Sequence, residues 1–452
     1  MDAMRSETVS ATALLGLACV LACFIAGAAS AESSPDDANE DARADGVSRS
    51  GSFTSDPDDP QHLLGAIQER GLERDSLFPV SPLHFLHENT DRAKKALYDA
   101  VGLDLGFAYT HLFQGLSESR RGEDQWGTGS NIDIIGSLEL IARGTPYLGE
   151  LTVHAQGRWN YGTTNPEDLG FVSLGSALGT ANTFAEYVDP SVITRNLYWQ
   201  QGSEEAGWAY RIGKITPDAI LSTSAHIAAA TTFLPNASIG PFSTAVPDSG
   251  LGAAAVWHFN DRVKLLGLVS DANADRSDFG APGKGDFFQA VELGVKIAPR
   301  TPKAGYSKLS FWRTDGTDDG EAANGNLGPS GWGFFIKHEQ ELTADGQVIA
   351  IARYGRGFND SAVYKHQASA DLLLYDPPDF VHIRKDLLGV AFNWVVPANS
   401  GGHDEYNVEV FYRLPIFPLV DMTFSYQSVM NPVANPNNDH ASVFSLRMRT
   451  TF

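Results

Sequence analysis

Cysteine is nearly missing from this sequence: Cys19 and Cys23 are the only two in 452 residues. Both fall inside the first thirty-one residues, so a chain that loses that leader has no disulfide, no thiol nucleophile and no cysteine-bound metal. Long apolar runs are missing as well. Past the first thirty residues nothing reaches the roughly 18 consecutive apolar positions that a membrane-crossing helix needs, which excludes a helical membrane protein. Charge is scarce and one-sided. Asp, Glu, Lys and Arg make up 19% of the chain, against roughly 25% in soluble domains. With 33 basic and 55 acidic residues the formal charge is −22. A nucleic-acid partner requires a basic footprint to displace counterions, and no basic stripe interleaved with aromatics exists here. That balance suits a secreted, periplasmic or outer-membrane protein.

Catalytic and ligand motifs are absent or incomplete. The twelve histidines are scattered without H-E-x-x-H spacing, and no G-x-S-x-G elbow occurs. Gly280 to Gly285 lacks the Ser or Thr after Lys284 that a phosphate loop needs. Asp315, Thr317, Asp319 and Gly320 echo the start of a calcium loop, but the twelfth position is Asn326 rather than Glu. Whether a surface loop takes calcium stays open. Asn236-Ala237-Ser238 matches a glycosylation acceptor and reads as a turn. Carboxylates abound in the loops, so spacing neither selects nor excludes a glycosidase pair. The expectation is a protein with no catalytic residues, no cofactor and no metal.

The sequence is instead rich in glycine (44 residues) and aromatics (10%). Residues 1–31 read as a cleaved signal peptide: Arg5 in the n-region, an apolar stretch from Ala11 to Gly27, and the small residues Ala29-Ser30-Ala31 before Glu32. Residues 32–101 form an acidic N-terminal extension. Its first half, with Asp36, Asp37, Glu40, Asp41, Asp56, Asp58 and Asp59, holds too little apolar surface to offset ordering entropy and is expected to be disordered. Short helical patterns follow around Leu63, Leu64 and Ile67 and around Ala93, Ala96 and Leu97.

From residue 102 to 452 the period becomes two. Leu151, Val153, Ala155, Trp159 and Tyr161 alternate with Thr152, His154, Gln156, Arg158 and Asn160, and Phe444, Leu446 and Met448 alternate with Ser445, Arg447 and Arg449. Successive strand residues face opposite sides, so each strand has one apolar and one polar wall. A soluble sandwich shares that pattern. Three features favour a transmembrane antiparallel β-barrel. The segments run nine to twelve residues, as a tilted membrane strand requires. Aromatics such as Trp159, Tyr161, Trp394, Tyr406 and Tyr412 sit near segment ends, as interfacial girdles do. The polar wall carries Arg158, Arg211, Glu292, Lys296, Lys337, Glu339, Arg353 and Arg413, which suits a wet lumen. Fifteen strands are clear, and an even count points to a sixteenth near 369–375 or 219–229. Stretches 163–194, 271–286, 314–330 and 356–385 read as outer loops. The Ala-, Ser-, Thr- and Pro-rich stretch 215–250 is a candidate to fold inward.

Several segments resemble the OprB-type carbohydrate-selective porins of Gram-negative outer membranes. They are Leu197 to Gln201, Gly207 to Tyr210 with Arg211-Ile212-Gly213-Lys214-Ile215, Phe233 to Gly240, and Ala253 to Phe259. Gly285 to Phe288, Asn431 to Pro436 and the terminal Phe452 continue the series in collinear order. The resemblance implies a monomeric sixteen-stranded barrel that passes sugars, glucose-like ones first. It implies a setting of outer-membrane lipid and lipopolysaccharide, and insertion by barrel-assembly machinery that reads Phe452 as its signal. A neutral sugar offers hydroxyls around a ring with apolar faces, so weak selectivity needs hydrogen-bonding groups and an aromatic surface at a constriction. Arg158, Arg195, Arg211, Lys214, Glu292, Lys296 and Arg353 are the candidate polar groups, with Trp199 and Trp312 as candidate platforms. Trp199 shares the apolar face of Leu197, so a girdle position is the alternative. A porin for organic acids and a secreted all-β sugar-binding protein remain as rival functions.

Overall fold

The computed structural model describes residues 53, 60, 61, 64, 76–78, 84–162, 164–181, 191–276, 278–297, 304–317, 326–377, 386–398, 403–435 and 437–452. The expected signal peptide, most of the acidic stretch, the first helical pattern apart from Leu64, and Asp319 and Gly320 of the calcium-like loop lie outside the described residues. Sixteen antiparallel strands close into one barrel. In order they are β1 (Leu103–Leu116), β2 (Trp126–Ile141), β3 (Gly149–Asn160), β4 (Ser191–Ser203), β5 (Trp208–Ile215), β6 (Gly250–His258), β7 (Val263–Asp271) and β8 (Phe287–Ile297). Then follow β9 (Gly305–Thr314), β10 (Gly331–Glu341), β11 (Val348–Gly357), β12 (Tyr364–Tyr375), β13 (Leu387–Pro397), β14 (Glu405–Phe417), β15 (Val420–Met430) and β16 (His440–Thr451). Each strand pairs with its sequence neighbours, and β1 pairs with β16, so no edge is left with unpaired backbone groups.

Side-chain alternation explains closure. Along β16, Phe444 and Leu446 are exposed outward while Ser445, Arg447 and Arg449 are buried on the inner wall. Along β3, Leu151 and Val153 face out, and Thr152, His154, Gln156 and Arg158 face in. Exposed Trp126, Trp257 and Trp332 lie at or near strand ends, and Trp394 joins Tyr354, Tyr406 and Phe334 in an aromatic group on the outer wall. A barrel with its greasy wall outside and its charged wall inside is the inverse of a soluble sandwich.

The sixteenth strand is β12, at the first of the two expected places. Stretch 356–385 is therefore not one loop: β12 interrupts it, and 376–386 connects β12 to β13 at the opposite end from 358–363. The second place, 219–229, belongs to the inward segment described below. Short turns at 142–148, 204–207, 259–262 and 418–419 share one end of the barrel, and the long loops share the other. Helix α1 (His84–Val101) sits at the short-turn end. Its Tyr98 hydroxyl donates to Glu139 at 3.1 Å, and Arg143 returns a bond to the Tyr98 carbonyl at 3.1 Å.

One glycine is obligatory in the R-x-G-K segment. Gly213 has φ of 137°, and a Cβ there would strike the Leu197 carbonyl oxygen and the Tyr198 Cα of the neighbouring strand. Gly213→Ala is expected to destabilise the β4–β5 pairing by about 1–3 kcal/mol, read as a lower urea midpoint for loss of the compact band on an unboiled gel.

Candidate functional site

The segment 216–249, between β5 and β6, is rich in Ala, Ser, Thr and Pro and carries only two short helical turns, Pro217–Ala219 and Asn236–Ile239. It runs into the lumen and is pinned there by the inner wall. At its base the Thr216 hydroxyl bonds to the Arg195 carbonyl (3.2 Å) and to Ser249 (2.9 Å). Next, the Ser222 N–H donates to Glu292 of β8 at 2.7 Å, and Glu292 also accepts from Ser310 at 2.7 Å. The Thr223 carbonyl accepts from Lys308 of β9 at 2.7 Å and from Lys337 of β10, which pairs with Glu339.

Further along, Arg447 of β16 donates to the carbonyls of Ala229 (2.7 Å) and Thr232 (2.8 Å), and Glu409 of β14 accepts from the Leu234 N–H (2.9 Å). Gln367 of β12 accepts from Ser243 N–H at 2.9 Å and donates to the Gly240 carbonyl at 2.7 Å. Cations meet carbonyls and carboxyls meet N–H groups, so each wall charge satisfies a backbone group that would otherwise be orphaned inside the protein.

Apolar contacts complete the docking. Phe233 meets Phe411 edge-on at 4.9 Å within a group that includes Ile227, Ile349, Ile351, Leu373 and Leu387. On the other side Ile220, Leu221, Ala245 and Val246 pack on Tyr198, Val256, Leu266, Leu268, Phe288 and Trp312. A second loop, between β3 and β4, also leans in. Glu405 accepts from Ser176 and from the N–H groups of Ala177 (2.8 Å) and Leu178 (3.1 Å), and Gln114 and Gln427 both donate to the Thr180 carbonyl.

Seven of the nine candidate channel residues lie on the inner side. Arg158 is buried and donates to Gln156 at 2.7 Å; Glu292 holds the inward segment; Arg353 pairs with Asp371 at 2.8 Å. Lys296 pairs with Glu204 at 2.5 Å at the short-turn end. Arg211 bonds Gln200 of β4. Arg195 is the extra residue of a bulge opposite His154 and Ala155, and its charge reaches Asp248 and Arg158. Three placements differ from expectation. Lys214 is opposite Leu197 and Leu251 in the ladder, on the outer wall, where its ammonium caps the carbonyls of Arg276 and Asp278. Trp199 is opposite Leu151 and Ile212, also on the outer wall, which makes it a girdle residue. Trp312 faces in but is 3% exposed, because the inward segment covers it.

The structure adds Lys308, Lys337, Glu405, Glu409, Gln367 and Arg447 as loop anchors. All occupy inner-wall positions of recognisable strands, so alternation gives their direction; nothing in the sequence names their partners. Phe452 closes the ladder by exchanging backbone bonds with Phe107 at 2.8 and 3.0 Å.

Outside the strands, Arg276 pairs with Asp248 at 2.7 Å beside Glu167, joining three long loops. Burial pushes the Glu167 carboxyl up to about 7, against the pull of Arg158 and Arg276. A carboxyl raised in the folded state favours the protonated fold, so its contribution weakens as pH rises from the usual carboxylate range through 7. Amide exchange over 164–170 is expected to quicken from pH 5 to pH 8 beyond its intrinsic pH dependence. Glu167→Gln is expected to remove that excess.

Comparisons agree with this geometry. The family model described as carbohydrate-selective porin, OprB family, matches residues 211–452, more than half of the chain. The high-pH structure of Pseudomonas putida OprB is similar at 12% identity and a TM-score of 0.65, covering 84% of this chain and 99% of that one. The low-pH structure of the same porin gives 11% identity and a TM-score of 0.52, covering 84% and 100%. No curated protein sequence matches the chain. The sixteen-strand fold comes from the structures and the lineage from the family model, and together they make the molecule an outer-membrane channel rather than an enzyme. The chain belongs to the OprB family of carbohydrate-selective porins.

Proposed function

We propose that the channel passes neutral sugars of glucose size by facilitated diffusion, with the half-buried Arg195 and Lys296 as charged groups of its lining and the buried Arg158, Arg211, Glu292 and Arg353 holding the wall behind them. The observation that carries this reading is the segment 216–249, held across the lumen by charged wall groups. A constriction fixed by hydrogen bonds keeps a set diameter, and its wall of hydroxyl, amide, guanidinium and carboxyl groups exchanges bonds with a polyol without holding it tightly. Liposome swelling is the test. Glucose is expected to enter faster than size-matched gluconate, and Arg195→Ala is expected to slow glucose about threefold by removing one charged contact. Equal glucose entry in wild type and Arg195→Ala would take Arg195 out of the path.

The second reading, an organic-acid porin, is favoured by one feature: Arg158, Arg195 and Arg276 gather around Glu167 and Asp248, an excess of cations. Faster gluconate entry would select it. The reading also takes residues 1–31 as a cleaved leader, checked by N-terminal sequencing at Glu32. It further takes the barrel as a monomer in lipid and lipopolysaccharide, with Phe452 as the signal to the assembly machinery.

A further inference from the structure

Part of the N-terminal extension lies inside the barrel. Phe53 and Leu64 are each 1% exposed, and the buried hydrophobic residues that each packs on, among the described residues, include inner-wall groups. Leu64 packs on Ile135, an inner-wall residue of β2. The Phe53 ring joins the inner-wall group of Tyr198, Ala209, Val256 and Trp312. Its face covers the Arg211 guanidinium at 4.7 Å, and the Tyr198 ring covers the other contact at 4.6 Å. A cation over two aromatic rings is held by their quadrupoles.

Gln61 makes the polar half of the dock. Its carbonyl oxygen accepts from Gln200 at 3.0 Å and from Arg211 at 3.4 Å, and its amide donates to Glu150. Farther along, the N–H groups of Leu77 and Phe78 donate to the carbonyls of Pro415 and Ile416, and Phe78 lies 5.5 Å from Phe417. That rim is the short-turn end, where α1 and the start of β1 also lie. Among the described residues ahead of β1, Phe53, Gln61 and Leu64 therefore lie on the inner wall and Leu77 and Phe78 at this mouth.

We propose that this segment is a tethered plug, docked through Phe53 and Gln61 on Arg211, Gln200 and Glu150, and that its release widens the channel from the short-turn end. Release also uncovers a guanidinium, an amide, a carboxyl and the Tyr198 ring together, a set able to contact a polyol. This rests on the channel reading but not on which solute passes. The test is single-channel recording in potassium chloride without sugar, so a wrong solute assignment leaves it intact.

Deleting residues 32–64, which removes the docking residues Phe53, Gln61 and Leu64, is expected to raise the conductance about twofold. Phe53→Ala with Gln61→Ala is expected to give flicker between the two levels. Unchanged conductance and noise in a deletion variant that still migrates as a compact barrel would overturn the plug. Should the deletion fail to assemble, the full chain decides. With Cys19 and Cys23 changed to Ser, Gln61→Cys and Gln200→Cys are expected to be joined by a short bifunctional thiol reagent, locking the low level. Failure to cross-link in assembled barrels would overturn the plug equally.

Discussion

Leu446→Arg is expected to destabilise the folded barrel by about 2–4 kcal/mol, the cost of a cationic side chain on the lipid face near the bilayer midplane. Leu446 is midway along β16, points outward, and lies opposite Phe113 of β1 and Phe424 of β15. The penalty depends on depth. Ser442 is on the same wall four positions nearer the strand end, so Ser442→Arg is expected to cost only about 0–1 kcal/mol at the interface. Urea titration in lipid vesicles, read by the compact band on an unboiled gel, compares the two. Equal losses would mean that this wall does not face lipid, and the outward assignment of Phe444 and Met448 would fall with it.

The same chemistry explains what was legible in the sequence. Strands whose outer wall carries large residues, such as β3, β14, β15 and β16, announce themselves by period. β12 does not: its outer positions include Ala368 and Ala370, so the apolar beat is weak, and its register shifts between Tyr364 and His366 at its start. The inner wall was legible as to direction but not as to use. Leu266, Leu268, Phe411 and Trp312 face inward because the segment 216–249 covers them, and a period-two pattern cannot distinguish a wall facing water from one facing a folded loop. The R-x-G-K motif groups Arg211 with Lys214, yet three positions along a strand means opposite walls. The ladder separates them accordingly. Trp199 follows the same parity. Within the site, composition alone identified the inward segment, because small residues let a backbone approach the wall; the anchors could not be chosen, since those that hold its interior depend on contacts across 70 or more residues of chain.

Those anchors set the second large expectation. Replacing Glu409 and Arg447 together with alanine removes the acceptor of the Leu234 N–H and the donors to the Ala229 and Thr232 carbonyls. Each buried group left without a partner costs about 1–3 kcal/mol. The segment escapes that cost by moving until water reaches those groups. The barrel ladder itself contains none of these bonds, so the variant is expected to assemble and keep its compact migration. Single-channel conductance is expected to rise by about twofold as the constriction loosens. Discrimination between glucose and a disaccharide in liposome swelling is expected to fall with it. Glu409→Gln retains an acceptor and is expected to behave almost as wild type. Arg447→Lys keeps the charge but not the two-pronged donor geometry, and is expected to lie between. Unchanged conductance and unchanged discrimination in the double alanine variant would show that 216–249 does not set the pore, since Arg447 joins its middle, 229–234, directly to β16.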